Sequence, residues 1–118
     1  MPLIRIDYHP ADFNDQRINQ LVQDMLQFAM DLHGMNQDQI SIFVQAYAPA
    51  SHSTAAAEVE IRAKRAEYGS DPVKRQQEHL EKYQQFLADF IASQQLAKGI
   101  VVTLTLEDWS VLWVPGVS

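Results

Sequence analysis

The sequence predicts an α+β sandwich in which two consecutive βαβ units form one four-stranded mixed sheet with both helices on the same face. Three observations predict it. Residues 2–8, 39–47, 57–65 and 100–106 alternate apolar and polar side chains with a period of two, the mark of strands with two different faces. Two long stretches, about 14–33 and 71–98, carry apolar residues at helical spacing, and each lies between two of the strands. The plan runs twice, over about 2–48 and 55–107, with the polar connector Pro49-Ala50-Ser51-His52-Ser53-Thr54 between. The 118 residues therefore read as a single domain of two pseudo-repeats followed by an apolar C-terminal tail.

In the first strand Ile4, Ile6 and Tyr8 point one way and Leu3, Arg5 and Asp7 the other, and His9-Pro10-Ala11-Asp12 ends it. Asn14 or Asp12 caps the first helix, whose stripe is Ile18, Leu21, Val22, Met25, Ala29 and Leu32, and Gly34 stops it. The second strand, Gln39 to Tyr47, puts Ile40, Ile42 and Val44 on one face and Ser41, Phe43 and Gln45 on the other. A helix connecting the two makes them parallel with a right-handed crossover. The third strand runs from Ala57 to about Arg65, with Val59, Ile61 and Ala63 alternating against Glu58, Glu60, Arg62 and Lys64. Ser70 or Asp71 caps the second helix and Pro72 sits in its first turn, where a missing N–H costs least. Its stripe is Val73, Leu80, Tyr83, Leu87, Phe90 and Ile91, with Gly99 as the exit. Ile100 to Leu106, rich in β-branched residues, is the fourth strand.

One set of strand residues is apolar enough to lie under both helices. The opposite set is polar but includes Leu3, Phe43 and Val101. Sheets with parallel strands seldom leave a face open, so other copies of the chain are expected to cover it. The tail from Trp109 to Val117, with two tryptophans and Leu112, is more apolar than a solvated terminus needs and is assigned to an interface.

Composition narrows the function. Without cysteine there is no disulfide, thiolate metal site or thiol nucleophile. A net charge of −6 argues against nucleic-acid binding, which depends on neutralising phosphates. No apolar run approaches a membrane span and no charged-then-apolar leader opens the chain, so a cytoplasmic protein without membrane attachment is expected. His9, His33, His52 and His79 have no metal-ligand spacing and read as surface or helix-end residues.

The chemical candidate is Pro2. Once Met1 is removed, Pro2 becomes a free secondary amine at the start of a strand. Amino-terminal amines titrate at about 7.7–8.0 before burial or a nearby cation lowers the value. That is close to the pH at which general acid-base catalysis works best.

Pro2 opening a strand, two βαβ units and the late Glu107-Asp108-Trp109-Ser110 together resemble the tautomerase superfamily, which includes 4-oxalocrotonate tautomerase, macrophage migration inhibitory factor and malonate semialdehyde decarboxylase. The resemblance covers nearly the whole chain as architecture. It implies a tautomerase/MIF-like fold, a homotrimer with sites between subunits, no cofactor, and Pro2 as catalytic base or acid. The reaction implied is keto-enol tautomerisation of a small anionic carbonyl compound, or a related hydration, decarboxylation or dehalogenation. Arg62-Ala63-Lys64, with Arg65 next, resembles the cationic pair by which decarboxylase-like members hold a substrate carboxylate, and Trp109 matches an aromatic residue lining the pocket. By alternation Arg62 and Lys64 share a face and Arg65 lies on the other. The arginines that short tautomerases place after the first strand and at the start of the second have no counterparts in Pro10-Ala11-Asp12-Phe13 or Gln39-Ile40-Ser41-Ile42. The alternative function is a non-catalytic oligomeric binding or structural module on the same fold.

Overall fold

Strand β1 (Leu3–Tyr8) is central because both of its edges are taken. β2 (Ser41–Ala46) lies parallel on one side and β3 (Ala57–Lys64) antiparallel on the other; β4 (Ile100–Glu107) then adds parallel to β3. The order β2-β1-β3-β4 is the predicted mixed sheet. Helices α1 (Asp15–His33) and α2 (Pro72–Gln94) cover one face. This is a computed structural model describing residues 2–110 and 112–117.

The core is where strand and helix periods meet. Ile4, Ile6, Val59, Ile61, Leu104 and Leu106 from the sheet pack against Ile18, Leu21, Met25 and Ala29 of α1 and Tyr83, Leu87 and Phe90 of α2. β3 alternates buried and exposed residues along almost its whole length, so a slip of one residue would drive its glutamates into the core. The ends are chemically marked. The Asn14 side chain accepts a hydrogen bond from the Arg17 N–H at 2.8 Å, Gly34 takes the left-handed conformation that stops α1, and Asp71 with Pro72 starts α2.

Several expectations shift by local amounts. β2 begins at Ser41 because Asn36 and Gln39 cap a one-turn 3-10 helix, Gln37–Gln39. Val44, expected inward, is 45% exposed, since β2 is an edge strand whose far half runs past the helix layer. α2 ends at Gln94, where Gln95 adopts φ 53° and donates to the carbonyls of Ile91 and Ala92, so Gly99 is not its exit. Val73 is 71% exposed on the first turn of α2 and does not join the stripe. Phe13, which the sequence pattern does not mark as core, is buried between Tyr8 and Phe90 and stacks on the latter. Among the described residues no helix is long and apolar enough to cross a membrane.

The helix layer holds a polar cluster. His33 ends α1 as expected, but its Nε2 pairs with the Tyr83 hydroxyl at 2.8 Å, and His79 Nδ1 pairs with the Tyr68 hydroxyl at 3.0 Å. The two imidazoles are 5.0 Å apart. Both are half-buried; His33 sits at a helix end as predicted, whereas His79, within α2, departs from the surface or helix-end reading. Burial first, then His79, pushes His33 down to about 4, and burial with Lys82 and Arg75 nearby lowers His79. A histidine whose folded pKa lies below its unfolded value leaves stability intact above about 6.5 and takes it away as pH falls toward about 4. For His33 the loss is on the order of 2 kcal/mol once partial solvent screening is allowed for. A urea series between pH 7 and 4 should show His33→Gln flattening that slope; an unchanged slope would assign the acid sensitivity elsewhere.

Candidate active site

Topology brings the sequence candidates to one end of the sheet. β1 starts where the antiparallel β3 ends, and β4, parallel to β3, ends there too. The register pairs Leu3 with Arg62, so continuing it by one residue sets Pro2 beside Ala63 and next to Lys64. Pro2 is fully buried, on the helix side with Ile4 and Ile6, and its carbonyl accepts a hydrogen bond from the Ser41 N–H at 3.3 Å. Met1, whose removal the proposed base requires, lies outside the described residues.

The three cations differ in what holds them. Arg62 lies on the open face and is gripped by Glu107 through two hydrogen bonds, Nε to Oε1 at 3.1 Å and Nη2 to Oε2 at 2.7 Å. The pairing holds the Glu107 carboxyl below the usual carboxylate range and raises Arg62 further. Arg65, the first residue of the turn Arg65–Tyr68, has Asp108 at 3.6 Å. Lys64, half-buried, has no hydrogen-bond or ion-pair partner among the described residues. It lines a pocket of about 360 Å³ with Ala66, Asp108, Trp109 and Ser110, at the small end of the range for small-molecule sites. Trp109 is half-buried on its own chain, and its Nε1–H is buried without a partner among the described residues.

Topology thus places Pro2, Lys64 and Trp109 at one end of the sheet, with Pro2 on the helix side and outside the pocket lining and Lys64 on the open face, whereas sequence reasoning missed Glu107 and Asp108 as partners. Their signal is the parallel register of β3 and β4, which sets Glu107 beside Lys64; register is a property of the pairing and is not visible in either strand alone. A larger groove between α1 and α2, lined by Phe28, Leu32, Phe86, Asp24, Gln27 and Asp31, carries no cation or base suited to the chemistry. Among the described residues, no three His, Asp or Glu side chains gather to hold a metal ion.

No protein-family model matches the sequence, and no curated protein matches it significantly. Solved structures do match in shape. A macrophage migration inhibitory factor homologue from Prochlorococcus marinus superposes with TM-score 0.59 at 18% identity, over 97% of this chain and 95% of that one. A member of the cis-3-chloroacrylic acid dehalogenase family gives 0.66 at 8% identity, over 90% and 75%. Malonate semialdehyde decarboxylase gives 0.58 at 14% identity, over 92% and 88%. All three are built on the architecture that the residues of this chain predict, so the chain shares the fold of these solved structures.

Proposed function

We propose that the chain is a proline-based acid/base catalyst that moves a proton between carbon and oxygen of a small carbonyl compound bearing a carboxylate. The observation that supports this reading is that Pro2 starts β1 at the same end of the sheet as Lys64, which has no partner among the described residues, and the Trp109 pocket. With Met1 removed, the neutral Pro2 nitrogen accepts a proton from the carbon next to the carbonyl, and the pyrrolidinium then returns it to the enolate oxygen. The reverse sequence ketonises an enol. Burial of Pro2 and the charge of Lys64 both disfavour the protonated amine, which leaves more of it as base near neutral pH. Lys64 holds the carboxylate, Trp109 forms an apolar wall, and no cofactor is used. Assembly as a homotrimer, with the open sheet face covered by neighbours, belongs to the same reading, as does a location in the cytoplasm.

A second reading, a non-catalytic oligomeric module, is favoured by the complete burial of the Pro2 ring, which suits a residue that only starts a strand. Lys64 separates the two. Lys64→Gln removes a charge-assisted contact to the substrate and should lower kcat/KM about ten- to a hundredfold, the equivalent of roughly 1.5–3 kcal/mol. Arg65→Gln, at a residue already facing Asp108, should change it less than about threefold, the range of exposed ion pairs. Equal small effects in an arylpyruvate ketonisation assay would return both to the solvated strand end.

A further inference from the structure

We propose that Glu107 is a specificity-determining residue: by holding Arg62 it restricts the pocket to substrates with a single carboxylate. This rests on the reading of the Lys64 pocket as the carboxylate site. The charges at this end of the sheet nearly cancel in pairs. Arg62 spends its guanidinium edge on Glu107 in a two-bond grip, and Arg65 faces Asp108. Glu67, in the turn after β3, has an interaction of its own and does not line the pocket. Lys64 is what remains, so the lining offers one positive charge, with the Asp108 carboxylate also on the rim.

A second carboxylate on the ligand would approach Glu107 and Asp108, two like charges, and would find Arg62 already taken. Arg62 itself is close enough to serve. It sits two residues from Lys64 on the same face of β3, a spacing of about 6–7 Å, and its side chain is long and half exposed. The grip of Glu107, rather than distance, is what keeps it from a dianion. Glu107 therefore acts through Arg62 without touching the substrate.

The test is binding without turnover, using crotonate and fumarate, which share a four-carbon trans skeleton and differ by one carboxylate. Titration calorimetry on the full chain should show crotonate binding more tightly than fumarate. Glu107→Gln, nearly isosteric at a part-exposed position, frees Arg62 and should raise fumarate affinity about tenfold, the value of one charge-assisted hydrogen bond, with crotonate changed less than about threefold. Adding Arg62→Gln to Glu107→Gln should cancel the gain. The proposal is overturned if wild type prefers fumarate, if the preference is the same in Glu107→Gln, or if crotonate does not bind. Pro2 takes no part in this measurement, so a failed proline mechanism and a failed charge assignment give different results: the first leaves the crotonate preference in place, and the second leaves turnover sensitive to the amino terminus.

Discussion

Acetylation of the amino terminus, after Met1 is removed, is expected to abolish enol-to-keto conversion of an arylpyruvate or a small 2-hydroxydienoate. An amide nitrogen has no basic lone pair at any pH reached in solution, so the loss should equal the whole contribution of the general base, about 10²- to 10⁴-fold. Retention of Met1 has the same chemical effect, and an intact mass measured beside each assay tells the two species apart. Pro2→Ala keeps an amine, now primary, and should retain part of the activity. The pH profile supplies an independent sign. The neutral amine is the active form for proton abstraction, so kcat/KM should rise with pH through a pKa below the 7.7–8.0 of an ordinary amino terminus, because both burial and Lys64 oppose protonation. Turnover undiminished by the block would end the proline mechanism and leave the non-catalytic module as the surviving function.

The sequence made the architecture legible wherever one period ran unbroken. β3 and α1 are examples: each buries one regular set of side chains, and each has an end set by a local signal such as Gly34 or the Asn14 cap. It misled where tertiary position overrode pattern. Val44 alternates correctly yet stands 45% exposed, because being inward on an edge strand does not guarantee that a helix lies above it. Phe13 is buried from a segment with no period, since one large side chain at the mouth between helix and sheet can be recruited from irregular chain. The candidate site divides in the same way. Arg62 and Lys64 share a face by simple alternation, but which of the two keeps its charge free depends on Glu107 crossing from β4. The pairing of His33 and His79 likewise requires two helices to meet, which no spacing within either helix reveals.

If the chain forms the homotrimer proposed above, deleting residues 112–118 is expected to convert it into smaller species or aggregates. Trp109, expected with the rest of the tail at an interface, is half-buried on its own chain, so the cut is placed after Ser110 and Val111 to spare the pocket. Beyond it Leu112, Trp113 and Val114 are 88%, 79% and 77% exposed, and Val117 is also bare. On the open side of the sheet Phe43 and Val101 are more than half exposed. An apolar tail segment and an apolar-flecked sheet face with the free edge of β2 beside it give one chain two surfaces for a second copy to cover. If Trp113 packs into a neighbour, its removal alone costs about 3–5 kcal/mol per interface, and a closed ring of three loses that amount three times over. Trp113→Ala in the full-length chain should therefore reproduce much of the effect of the deletion. Sedimentation equilibrium decides it. A deleted chain that still has the mass of the full-length trimer would place the tail outside the interface, and a full-length chain that sediments as a monomer would remove the shared-site architecture together with the cover for the sheet.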